Sequence, residues 1–157
     1  MDCSAKGLSF AGLRTGGIVG LGVDAKLLLQ VELPEGVHNA QLVNDGVIFN
    51  DTAANYLRHV TRKGEERHFA FPAYDPDKLE YAGIDDSKIA RQGFGRGLCR
   101  INDRLVAAGS SPSTVSVFDL VSGETVFSVN FSMDIRNAIH GLEIWPFAMP
   151  RPAATRR

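Results

Sequence analysis

The sequence repeats a phrase built from two short apolar runs joined by an Asn-Asp turn. Residues 37–51 carry this turn at Asn44-Asp45, and residues 95–109 carry it at Asn102-Asp103, 58 residues later. Apolar runs on both sides of a tight turn predict a β-hairpin. A repeat of this length with several strands in each copy predicts a propeller-like β-array.

Each of the two full copies contains four predicted strands. They run over 39–43, 47–50, 56–61 and 66–71 in the first copy, and over 97–101, 105–108, 115–120 and 125–131 in the second. Four short strands joined by hairpins are the composition of one propeller blade. We therefore expect an all-β fold of about three four-stranded antiparallel blades, which is half of a six-bladed ring.

The two ends of the chain complement each other in this scheme. Residues 8–33 match the second, third and fourth strands of a blade, and residues 139–145 match a first strand. We expect 139–145 to complete the blade of 8–33, because an open sheet edge exposes unpaired backbone groups. The predicted domain is then a partial propeller over 1–147, whose other blades are 38–71 and 95–131.

Three blades are fewer than the roughly four to eight of an ordinary closed ring. Either two copies form a homodimer that completes a six-bladed ring, or the chain is the C-terminal half of a longer propeller.

The rest of the chain is predicted to lie outside the blades. Residues 72–94 form an insertion with helical turns over 77–81 and 86–91, and residues 148–157 form a disordered tail rich in Pro and Arg. Trp145-Pro146-Phe147 is predicted to pack at the ring closure or to form a dimer contact.

The overall charge and the cysteines exclude several classes of partner and compartment. The net charge of −1 provides no field that would recruit nucleic acid. No apolar run reaches the roughly 18 residues of a membrane helix, and no signal peptide is recognisable, so we expect no membrane partner. Cys3 and Cys99 provide no disulfide framework. These features predict a reduced, cytoplasmic protein.

The first strand of each blade lines the channel of a propeller, so the residues that open these strands meet at one mouth. The repeat alignment places His38, Arg96 and His140 there, followed by Asn39, Gly97 and Gly141. We predict that His38, Asn39, Arg96 and His140 bind a small polar or anionic ligand, or a protein partner. His59 and His68 fall in outer strands, where we expect them to be solvated or half-packed.

Two imidazoles at one mouth also make His38 and His140 candidate ligands of a divalent metal. The alternative function is therefore a metal-dependent hydrolase of the lactonase type, with its site in the central channel. No nucleophile elbow, zinc motif or phosphate-binding loop assigns catalytic residues. The sequence leaves open whether the chain is an enzyme.

Two phrases carry a resemblance to a known family. The ending Ile139-His140-Gly141-Leu142-Glu143-Ile144-Trp145-Pro146, with Gln92-Gly93-Phe94-Gly95-Arg96-Gly97-Leu98 before it, resembles the C-terminal part of an uncharacterised bacterial family of six-bladed β-propeller-like proteins. The resemblance covers most of residues 8–147. It implies a propeller fold and a channel site that includes His140, and it implies no reaction.

Overall fold

A computed structural model shows an all-β protein. It describes residues 36–83 and 91–147 in full, and within residues 1–35 it describes the backbone of four strands. The strands of the described part are β1 Asp2–Ser4, β2 Gly7–Ala11, β3 Thr15–Val19, β4 Leu27–Glu32, β5 Val37–Val43, β6 Gly46–Asp51, β7 Tyr56–Thr61, β8 Glu66–Ala70, β9 Gly97–Arg100, β10 Leu105–Ser110, β11 Thr114–Asp119 and β12 Thr125–Asn130. One 3-10 helix, Pro76–Lys78, is the only helix among the described residues.

The strands form three four-stranded antiparallel sheets, each a meander of consecutive strands. The first sheet is β1–β4, the second is β5–β8 and the third is β9–β12. The all-β class and the four-stranded antiparallel sheets are therefore confirmed. All eight strands predicted between residues 39 and 131 are present, because each pairs locally with the next through a short hairpin.

The main core lies between the second and third sheets. Strand alternation places Ile48, Leu57 and Phe69 on one face of the second sheet. They form one cluster with residues of the third sheet such as Val106 and Phe118. The rings of Phe69 and Phe118 lie 5.3 Å apart in a tilted arrangement, which adds a directional contact to the apolar burial.

Polar side chains also join the second sheet to the backbone of the third. Asn50 Nδ2 donates to the Gly97 carbonyl over 3.0 Å, and Gln41 Nε2 donates to the Leu98 carbonyl over 3.4 Å. At the outer edge, the Arg67 guanidinium donates to the Leu120 carbonyl. These bonds run from β5, β6 and β8 to the neighbouring sheet, so the two sheets are fixed relative to each other at the inner and outer edges.

The first sheet differs from the prediction in its first strand. Asp2–Ser4 pairs with β2 in a local hairpin, so the sheet has four strands of its own. Residues 139–145 are irregular and are not a strand of the first sheet. The predicted blade of 8–33 plus 139–145 is therefore wrong in this respect.

A pair of glycines explains where residues 139–145 lie instead. Gly97 and Gly109 face each other across β9 and β10, and the Gly97 N–H donates to the Ile139 carbonyl over 2.7 Å. A Cβ atom at Gly109 would lie 2.5 Å from Ile139 Cβ. The absence of side chains at both positions therefore lets Ile139 pack directly on the third sheet.

The pairing of the strands shows that the sequence alignment of the two repeats is one residue off at their first strands. His38 pairs with Asn50, and Gly97 pairs with Gly109, so Gly97 is the structural equivalent of His38. Arg96 lies one residue before that position. The shift arises at a β-bulge between His38 and Ala40, which adds one residue to β5.

Several predictions outside the strands have mixed outcomes. His59 is buried, with its Nε2 2.9 Å from Asp45 Oδ1, so the prediction of a solvated or half-packed side chain is wrong for it. His68 is exposed as predicted. A helical turn was predicted over 77–81; the structure has a 3-10 helix over Pro76–Lys78, which Asp75 caps, and Leu79 is already extended. The turn over 86–91 and the tail 148–157 lie largely or wholly outside the described residues.

Trp145 and Phe147 do not pack into the described structure. Their rings contact each other at 5.0 Å, but their side chains are 64% and 67% exposed. The predicted packing at a ring closure is therefore not found, and a contact with another molecule remains the prediction for this pair.

Candidate functional site

The structure brings together the three residues that were predicted to open the first strands. His38 lies at the start of β5, Arg96 directly precedes β9, and His140 lies in the segment that packs on the third sheet. Burial lowers the pKa of His38, and the positive charges of Arg96 and His140 lower it further. The three side chains therefore share one electrostatic environment, although Gly97 and not Arg96 occupies the position equivalent to His38.

Phe94 lies at the centre of this cluster. The guanidinium carbon of Arg96 lies 4.5 Å from the centroid of its ring, and that of Arg91 lies 5.4 Å away. The His38 ring lies 6.0 Å from it in a tilted arrangement. The negative face of an aromatic ring attracts cations, so Phe94 holds two guanidinium groups and one imidazole around a single buried ring. We call His38, Arg91, Phe94, Arg96 and His140 the cationic cluster.

Asn39 positions the backbone of the cluster. It adopts a left-handed conformation with φ of 50° at the bulge of β5, which asparagine tolerates better than most residues. Its side-chain amide donates to the Arg96 carbonyl. Asn39 was predicted to bind a ligand, but its amide N–H is already engaged in joining the second sheet to the start of β9.

Arg91 was not among the predicted site residues. Its guanidinium donates to Asn55 Oδ1 and to the Thr52 carbonyl, so the side chain is fixed by neutral acceptors. Arginine stays charged at neutral pH even where burial lowers its pKa, as it does here. The sequence did contain a sign of this site. Arg91, Phe94 and Arg96 lie close together just before β9, so two cations flank one aromatic ring along the chain.

Two buried polar atoms near the cluster lack hydrogen-bond partners among the described residues. They are Arg96 Nε, a donor, and Asn50 Oδ1, an acceptor. Asn50 stands directly opposite His38 in the register, and its Nδ2 is bound to the Gly97 carbonyl that follows Arg96. Buried polar atoms are rarely left unpaired, so this donor and this acceptor are the groups that a ligand would satisfy.

The carboxylates near the site are engaged elsewhere. Asp51, at the end of β6, is buried and pairs with Arg58 over 3.0 Å, and it also accepts from the Ala54 N–H. Arg58 continues to Glu66, whose pKa is lowered by its hydrogen bond to Arg58. Among the described residues neither Arg91 nor Arg96 forms a salt bridge. Within the described ranges, no carboxylate therefore pairs with the guanidinium groups of Arg91 and Arg96.

The predicted metal site has no third ligand within the described ranges 36–83 and 91–147. There, no group of three or more His, Cys, Asp or Glu side chains is placed to hold a metal ion. The Arg96 guanidinium also acts on His38 electrostatically, and its positive charge would repel a metal ion. In the same part of the chain, no helix has the length and apolarity to cross a bilayer.

Comparison with known proteins leaves the chain without an assigned family. No protein-family model matches it, and no curated protein matches it. The resemblance to a propeller-like family therefore remains a prediction, and the function has to be inferred from the geometry of the cationic cluster.

Proposed function

We propose that this chain is a ligand-binding module that takes up a small oxyanion at the cationic cluster. The observation that carries the proposal is the buried Arg96 Nε, which finds no acceptor among the described residues although its guanidinium lies over Phe94. An anion oxygen would satisfy this donor through a charge-assisted hydrogen bond. Arg91 would add positive charge around the same ligand.

The unpaired acceptor on Asn50, which stands opposite His38 in the strand register, narrows the class of anion. Asn50 Oδ1 needs a donor, so an oxyanion that also carries a hydroxyl group satisfies both atoms. Phosphate at neutral pH carries such a hydroxyl, whereas sulfate does not. We therefore expect inorganic phosphate to bind better than sulfate.

We further propose that the three sheets are consecutive blades of a propeller-like array, half of a six-bladed ring. The support is the order of the sheets: β5, the first strand of the second sheet, contacts both β1 and β9, the first strands of its neighbours. First strands that adjoin from sheet to sheet are the arrangement around a propeller axis. In this array the cationic cluster lies at the entry to the inner strands, where a channel would open.

Calorimetric titration of the full chain with inorganic phosphate at pH 7 tests the binding proposal. We expect saturable binding, and we expect Arg96→Gln to weaken it at least about tenfold, since a charge-assisted bond in a buried site is worth roughly 1.5–3 kcal/mol. Arg62→Gln is the matched control, because Arg62 is exposed in the turn between β7 and β8.

Sulfate is the second ligand in the same titration. Equal affinities for phosphate and sulfate would contradict the role of Asn50 Oδ1 and leave a site for anions in general. No binding of either anion by the wild-type chain, or equal weakening by Arg96→Gln and Arg62→Gln, would overturn the proposed function.

A further inference from the structure

In the described part of the chain, no sheet packs on one face of the third sheet. The face that carries Val106, Ala108 and Phe118 packs on the second sheet. The opposite face carries Val115, Val117, Phe127 and Val129, which we call the open face. On it Val117 is buried, whereas at the β12 edge Phe127 is 52% exposed and Val129 is 44% exposed. Phe127 and Val129 are two residues apart on β12, so their exposed side chains form one apolar patch at the edge of the sheet.

The register shows which part of the second sheet corresponds to the open face. Cross-strand pairing links Gly97, Gly109, Val115 and Val129 in one row of the third sheet. The equivalent row of the second sheet links His38, Asn50, Leu57 and Phe69. In the second sheet this row faces the third sheet, and Leu57 and Phe69 are almost completely buried. Val115 and Val129 thus stand where the second sheet buries its core.

The neighbouring row shows the same correspondence. Phe127 ends the row of Cys99, Ala107 and Val117, as Arg67 ends the row of Gln41, Ile48 and His59. Arg67 reaches across to the Leu120 carbonyl of the next sheet. Phe127 has an apolar ring at this position. We therefore expect it to contact an apolar side chain of another molecule and not a carbonyl group.

A segment of the chain itself covers the inner end of this face. Ile139 packs on Gly97 and Gly109 at the inner end of the open face. This corresponds to the place where β9 packs against His38 and Asn50 of the second sheet. The outer half of the face, at Phe127 and Val129, has no such cover among the described residues.

We propose that the open face is the docking surface for a four-stranded sheet of a second copy of this chain. The third sheet covers the equivalent face of the second sheet, so the partner of the open face should be a similar sheet. This chain contains such four-stranded sheets. The contact is head-to-tail, because it joins the open face to a different surface of the second copy. Such contacts close into a ring when the rotation between copies returns to its start, as it does for two half-rings of three blades. The inference rests on the proposed propeller-like array, and it does not depend on the binding of an anion.

Light scattering after size-exclusion chromatography of the full chain tests the proposal over a range of concentrations. We expect a dimer, and we expect Phe127→Glu to raise its dissociation constant at least about tenfold, since a buried charge without a partner is costly. Val121→Glu is the matched control, because Val121 is 65% exposed in the turn after β11 and lies off the open face.

Val129→Thr is a milder second variant that keeps the branched shape of the side chain, and we expect it to weaken the dimer less than Phe127→Glu does. A monomer at every concentration would rule out the second copy as the occupant. A dimer that responds equally to Phe127→Glu and Val121→Glu would place the interface elsewhere. Titration with phosphate separates the two proposals, because Phe127 and Val129 lie outside the cationic cluster.

Discussion

His38 lies where burial and two cationic neighbours act on its imidazole in the same direction. Both effects lower its pKa below the ordinary value of 6.5, so the folded protein favours the neutral ring. The unfolded chain then binds a proton more readily than the folded chain does. The stability that His38 contributes is present in full above about pH 6.5 and is lost as the pH falls towards the lower pKa of the folded state.

The lowered pKa of His38 leads to a prediction about how the stability of the anion-free protein depends on pH. Between pH 7.5 and pH 5.5, wild-type protein should lose more free energy of unfolding than His38→Gln, because only the wild type has an imidazole to protonate at this position. Urea unfolding followed by circular dichroism measures the difference. Phosphate should reduce it, since a bound anion stabilises the imidazolium. His68→Gln, at an exposed imidazole, should follow the wild type, and a pH response of His38→Gln equal to that of the wild type would contradict the prediction.

The segment of residues 137–144 brings His140 to the cluster, and two glycines determine where it lies. A Cβ atom at Gly109 would lie 2.5 Å from Ile139 Cβ, and one at Gly97 would lie 2.9 Å from the Ile139 carbonyl oxygen. These distances are too short for contacts between real atoms, so a side chain at either position must displace Ile139. The neighbouring His140 would then move away from His38 and Arg96.

We therefore predict that Gly109→Ala weakens phosphate binding although Gly109 is not part of the cationic cluster. The expected loss is several-fold in affinity, with destabilisation of about 1–3 kcal/mol from overpacking. Calorimetry measures the affinity and thermal unfolding measures the stability. Gly83→Ala is the control, because a Cβ atom there meets nothing within 4 Å. An unchanged affinity in Gly109→Ala would show that the position of Ile139 does not determine that of His140.

At the level of strands, most of the second and third sheets could be predicted from the sequence. Local alternation and tight turns specify hairpins, and all eight of their strands follow from such signals. The bulge at Asn39 could not be predicted in this way, because it depends on a hydrogen bond to Arg96, 57 residues away. That single residue shifts the repeat alignment, so His38 and Arg96 meet without being equivalent.

The candidate site could likewise be predicted only in part, because some of its contacts join residues that are far apart in the sequence. His38 and Arg96 could be found from their places in the repeats, since the first strands β5 and β9 adjoin. His140 was predicted on the same ground, but it lies in an irregular segment that packs on Gly97 and Gly109. Arg91 could not be found in this way, because its position depends on Asn55 and the Thr52 carbonyl in the preceding sheet. The burial of His59 likewise depends on Asp45 in the adjacent hairpin turn, and an isolated histidine in an outer strand gives no sign of it.

At the scale of the whole molecule, the second and third sheets share one core and should unfold together. Phe118 is fully buried, and its ring contacts Phe69 at 5.3 Å and Phe71 at 6.1 Å. Phe118→Ala should therefore lower the free energy of unfolding by about 3–5 kcal/mol. Phe127→Ala removes the same atoms from an exposed ring and should cost well under about 1 kcal/mol in the monomer.

Amide hydrogen exchange shows whether the loss is shared by both sheets. If they form one cooperative unit, Phe118→Ala must speed exchange in β6 and β7 of the second sheet as much as in β10 and β11. The bonds from Asn50 and Gln41 to the carbonyls of β9 give a physical reason to expect this. Faster exchange confined to the third sheet would mean that each sheet unfolds alone, and the cationic cluster, which needs both sheets, would then be lost before the second sheet unfolds.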